Sequence, residues 1–105
     1  MGENDKSIIT IVVQRKHGPA IIKAAMEADA PGITYFYARG TGVRQKIGFW
    51  GRFIDGEKQI IILAVPAFKA DKILDTIIET TGLNKPGLIF AYIQPALRVE
   101  GNLAN

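Results

Sequence analysis

The residues best suited to chemistry cluster in one short stretch. Gly40-Thr41-Gly42-Val43-Arg44-Gln45 places two glycines just ahead of an arginine and a glutamine. Glycine reaches φ > 0 and lets the backbone approach a ligand closely, so successive N–H groups can converge on an anion. An arginine beside them adds charge-assisted hydrogen bonds of the kind phosphates and carboxylates attract. The bland alternative is a strand-end turn with incidental glycines. Farther along, Phe49, Trp50, Arg52 and Phe53 stand among more glycines, with no helical or strand rhythm. These aromatics either tuck against the domain or a neighbouring copy, or anchor a partner protein as interface hot spots.

Other chemistries are poorly provided for. The chain has one histidine and no cysteine, which excludes disulfides, thiolate zinc sites and the paired ligands of a metal chaperone. Its one serine, Ser7, heads the first strand, and His17 sits in a turn with no orienting group, so no catalytic set is expected and the chain is not read as an enzyme. Thirteen Lys and Arg against ten Asp and Glu leave a formal charge of +3, a mild bias towards anionic ligands that does not demand nucleic acid. The N-terminus carries acidic residues and only a short apolar run, unlike a signal peptide or a span, and a cytoplasmic protein is expected.

The elements that must position these residues follow from periodicity. Residues 8–13 (IITIVV), 33–38 (ITYFYA), 59–65 (QIIILAV) and 88–94 (LIFAYIQ) are β-branched and aromatic, hence strands. Residues 19–29 open with Pro19 and are alanine-rich, hence a helix. Residues 69–80 place Ala70, Ile73, Leu74, Ile77 and Ile78 on one helical face, with Asp71 near the positive end. The order β-α-β-β-α-β predicts one α+β domain of ferredoxin-like type, with two helices on one face of a four-stranded antiparallel sheet. Strands apolar on both sides require a second cover, and self-association is the simplest one. An RNA-recognition reading fails because the third strand, IIILAV, lacks exposed aromatics.

Taken in order, RGTGVRQ leaving the second strand, VP ending the third, ILDTIIETTG in the second helix and GLIFAYI opening the fourth resemble the P-II (nitrogen regulatory) signalling family. The likeness runs from about Ile8 to Gly101 and is closer to the divergent branch, which includes carboxysome- and transporter-associated members, than to the nitrogen regulators themselves. It implies a homotrimer with sheets facing the three-fold axis and an adenine nucleotide in each inter-subunit cleft. It also implies a T-loop (about 42–57), a B-loop (about 81–88) and a C-terminal segment (about 96–105) contributed by the neighbouring copy. The T-loop would dock on a partner, a membrane transporter or a metabolic enzyme.

Carried over by position, the resemblance assigns Gly40, Thr41, Gly42, Val43, Arg44 and Gln45 to the T-loop base. It assigns Gly82, Lys85, Pro86, Gly87 and Leu88 to the B-loop, with Lys58 and Arg98 completing the nucleotide site. Phe49, Trp50, Arg52 and Phe53 fall on the partner-binding arm. The chain departs from the nitrogen regulators in several places. One extra residue separates the second glycine from Arg44, Pro86-Gly87-Leu88 replaces an acidic residue, a glycine and a phosphate-gripping lysine, and Arg98 stands where two arginines are usual. Losing one charge-assisted contact costs roughly 1.5–3 kcal/mol, which weighs most on a triphosphate and favours ADP or AMP over ATP. Glu100 would repel an extended phosphate chain. Lys85 is either a substitute phosphate cation or a solvated loop lysine, and Lys58 is either a ligand contact or a strand-edge lysine. A second small anion such as bicarbonate would replace the usual effector. No Tyr or Ser lies between Gly42 and Glu57, so modification there is unavailable and ligand binding must drive any switch. The alternative function is a trimeric scaffolding protein with a decayed nucleotide site.

Overall fold

The computed structural model describes residues 5–40 and 56–101. Strand β1 (Lys6–Gln14) leads through a single 3-10 turn (Arg15–His17) into helix α1 (Gly18–Glu27), followed by β2 (Ile33–Gly40). Strand β3 (Gly56–Pro66) leads through a second 3-10 turn (Ala67–Lys69) into α2 (Ala70–Thr81), and β4 (Ile89–Pro95) completes the sheet. The strand order is β2-β3-β1-β4, with every neighbouring pair antiparallel. This is the ferredoxin-like α+β arrangement expected from the sequence.

Several boundaries differ by one to three residues, most of all at the start of β3. Gly56 and Glu57, at the end of the segment expected as loop (about 42–57), belong to β3 and pair with Gly40 and Arg39. Ladder bonds join backbone to backbone, so a strand can continue through glycines and charged residues that have little β-propensity.

Alternation along the strands sorts the side chains into two faces. Ile9 pairs with Leu63 and Ile11 with Ile61, and this face packs under Ile21 of α1 and Ile77 of α2. All six side chains are fully buried, each contributing about 1.5–3 kcal/mol relative to exposure. The opposite face carries Ile8, Val12, Ile60 and Ile62, only half-buried, between exposed Phe36 at one edge and Phe90 and Tyr92 at the other. Phe90 and Tyr92 pack at 5.7 Å between ring centroids. The sheet is therefore apolar on both sides, and among the described residues nothing covers the second side.

Both helices stop through left-handed residues. Beyond Ala28, Asp29 takes φ 65°, its N–H donates to the Met26 carbonyl, and Ala30 N–H donates to the Ala25 carbonyl. These are the paired bonds of a Schellman cap, here built on aspartate where glycine is usual. At the end of α2, Gly82 takes φ 70° and donates to Ile78, while the Thr81 hydroxyl donates to the Ile77 carbonyl at 2.8 Å.

Candidate functional site

Antiparallel pairing gathers several of the expected residues at one end of the sheet. Gly40 closes β2, and Lys58 lies on β3 opposite both Gln14 and Ala38. Lys58 is half-buried and belongs to the open sheet face, as do its two partners by alternation. The turn from α2 into β4 arrives at the same end, since Ile89 pairs with Val13.

That turn has a definite local cause. Leu88 N–H donates to the Lys85 carbonyl at 3.1 Å, and Gly87 takes φ 85°. Proline at the second position and a left-handed glycine at the third are the signature of a type II turn. Lys85, Pro86 and Gly87 are exposed and Leu88 is half-buried. Beside the turn, an open groove of about 500 Å³ has Leu74, Ile78, Ile89 and Ala91 among its apolar lining and Asn84 and Lys85 from the turn itself. Ile89 and Ala91 pair with Val13 and Ile11, so the groove lies on the helix side of the sheet, the opposite face from Lys58.

Arg98 is elsewhere. The tail leaves β4 at the opposite end of the sheet, where Ala96 N–H donates to the Lys6 carbonyl at 3.0 Å. The nine residues of β1 separate the two ends by about 26 Å at roughly 3.3 Å per residue. Arg98 is exposed and holds Glu100, with Nε 2.7 Å from a carboxylate oxygen. A single chain therefore does not bring Lys58 and Arg98 together. Thr41, Gly42, Val43, Arg44, Gln45, Phe49, Trp50, Arg52 and Phe53 lie outside the described residues.

A further group at the Lys58 end had no signal in the sequence. The Arg15 guanidinium, in the turn after β1, pairs with the Glu57 carboxylate and lies 4.6 Å from the centre of the Tyr37 ring. The hydrogen bond to Glu57, its charge, and then Tyr37 raise the Arg15 pKa above its ordinary value, so the guanidinium stays charged. Tyr35 and Tyr37 are about half exposed on β2 at the sheet edge. Next to this group Gln59 is 2% exposed, and among the described residues its Oε1 has no hydrogen-bond partner. Forty-two positions separate Arg15 from Glu57, and no periodicity links them. His17 is half-buried in the same turn. Among the described residues, no group of three His, Cys, Asp or Glu is placed to hold a metal ion, and no helix is long and apolar enough to cross a membrane.

The fold and this end of the sheet define a ferredoxin-like domain with a lysine-bearing turn and an uncovered apolar face. The family model for nitrogen regulatory protein P-II matches residues 6–100, and the chain belongs to the P-II family. It is thus a P-II-like protein of a signalling and regulatory family. Among solved structures, a DUF3240 family protein from Shewanella baltica OS155 superposes with a TM-score of 0.69 at 15% identity, covering 99% of this chain and 100% of that one. Arabidopsis thaliana PII bound to citrate superposes with a TM-score of 0.66 at 16% identity, covering 88% of this chain and 78% of that one. No curated protein matches.

Proposed function

We propose that this protein is a cytoplasmic P-II-like sensor that assembles as a homotrimer through its open sheet face. It binds an adenine nucleotide, ADP or AMP in preference to ATP, in clefts between copies. It regulates a partner, such as a membrane transporter or metabolic enzyme, through the segment from 42 to 57.

One observation carries this reading. Lys58 and the 82–88 turn share one end of the sheet, whereas Arg98 sits at the other. If both ends contribute cations to one anion, the site closes only when a second copy supplies its tail. The uncovered face of Ile8, Val12, Ile60, Ile62, Phe36 and Phe90 supports that assembly. The citrate held by the Arabidopsis structure supports a second small anion, for which bicarbonate is a candidate.

Calorimetric titration with ATP, ADP and AMP, alongside light scattering for mass, tests both parts. ADP or AMP should bind more tightly than ATP to a species of three chains. Absence of heat with all three nucleotides, at concentrations above millimolar, would remove the sensor reading. A second reading, a trimeric scaffold with a decayed nucleotide site, is favoured by Glu100 already occupying Arg98. It predicts the trimer without the heat.

A further inference from the structure

We propose that Arg15 is a positioning residue for the loop stem, holding the start of β3 so that Lys58 is presented on the open sheet face. The inference rests on the reading of Lys58 as a ligand contact and adds how that side chain is aimed.

Three contacts made by the 15–18 segment support it. Arg15 grips both strands that bracket residues 41–55, since Tyr37 belongs to β2 and Glu57 to β3. Three residues on, Gly18 opens α1 directly against the Gln59 carboxamide, where a Cβ at position 18 would fall 1.3 Å from Oε1. Residues 57 and 59 are therefore both held from the helix side by the 15–18 segment. Side chains alternate along a strand, so fixing 57 and 59 on one face directs Lys58 to the other. A rotation or slip at the start of β3 would turn Lys58 away from Gln14 and Ala38, and the two grips oppose that motion.

The chemistry suits arginine in particular. The guanidinium donates to a carboxylate through its planar fork and stacks on an aromatic face, and lysine reproduces only the charge. All three side chains are partly exposed, and exposed pairs add little to global stability. The effect of breaking the clamp is therefore local. Stem amides should open without the rest of the sheet.

Hydrogen exchange of the unliganded protein tests this independently of any nucleotide. Arg15→Ala should speed exchange of residues 37–40 and 56–60 by about tenfold, leaving β4 and α2 unchanged. Arg15→Lys and Glu57→Gln, which keep the volume of the site, should give intermediate increases. The double variant Arg15→Ala/Glu57→Gln should not exceed Arg15→Ala by much, because the two residues act as one pair. If the wild type binds ADP or AMP, Arg15→Ala should also weaken that binding while Tm stays nearly constant. Unchanged stem exchange in all variants, an equal increase throughout the sheet, or strictly additive increments would overturn the proposal. A wild type that binds no nucleotide would remove the sensor reading and leave the exchange result to decide the clamp.

Discussion

Gly18 lies against the side chain of Gln59, at the point where α1 begins and the loop stem ends. A Cβ on residue 18 would sit 1.3 Å from Gln59 Oε1 and 2.4 Å from its Cδ. The Gln59 side chain is buried, at 2% exposure, so it cannot swing out into solvent without disturbing its surroundings. Gly18→Ala should therefore destabilise the protein by about 1–3 kcal/mol, as overpacked cores do. The same substitution in a Gln59→Ala background should cost much less. Urea denaturation of the four proteins at one concentration measures the difference, and equal costs in both backgrounds would show that the contact is not the cause.

The buried Gln59 Oε1 has no hydrogen-bond partner among the described residues. An unsatisfied buried polar group typically costs about 1–3 kcal/mol, and an apolar replacement of like shape removes that cost. Gln59→Met should raise stability by about 1 kcal/mol. A fall in stability, read by the same urea denaturation, would mean that the carboxamide is satisfied in solution.

The two helix caps make opposite predictions. Asp29 holds φ 65° at the C-terminus of α1, where its left-handed backbone and its negative charge are both unfavourable. Asp29→Gly should stabilise by about 1 kcal/mol. Gly82 holds φ 70° after α2, and among the described residues nothing lies within 4 Å of the place a Cβ would take, so the expected cost of Gly82→Ala is conformational. It should destabilise by about 1 kcal/mol, and thermal melts should move in opposite directions by roughly 4–8 °C.

The open sheet face can be poisoned. Ile62 lies on it, paired with Thr10 and Thr34, and Phe90 lies at its β4 edge. A charge at the centre of a buried apolar interface is strongly unfavourable. Ile62→Glu should dissociate the proposed trimer to the 11.5 kDa chain, read by light scattering, with α1 and α2 still formed by circular dichroism. An unchanged mass would place the interface elsewhere.

Arg98 and Glu100 form an exposed pair in the tail. Removing the competing carboxylate with Glu100→Gln should strengthen ADP or AMP binding severalfold, whereas Arg98→Ala should weaken it by about tenfold or more. Titration calorimetry distinguishes them. Equal affinity in both variants would take Arg98 out of the nucleotide site.

The elements are legible in the sequence because each carries its own period. IITIVV and QIIILAV read as strands, and Ala70, Ile73 and Ile77 repeat along one helical face and are buried there. The KPGL turn is legible as a turn, since proline and glycine constrain φ wherever they stand. Asp29 is not, because aspartate in a left-handed cap replaces the glycine that would have announced it. The early start of β3 escapes for a related reason. Gly56 and Glu57 form ladder bonds through their backbones, which side-chain propensity does not report.

What the sequence by itself determined is the set of local choices: four strands, two helices, their order, and the glycines and cations available to an anion. Those follow from interactions within a few residues, where side-chain period and backbone preference act directly. Tertiary structure decided which of those groups meet. It brought Arg15 to Tyr37 and Glu57, set Gly18 on Gln59, and put Lys58 and Arg98 at opposite ends of one sheet. Such meetings depend on strand register and on the crossing of α1 over the sheet, which no short stretch of chain encodes alone.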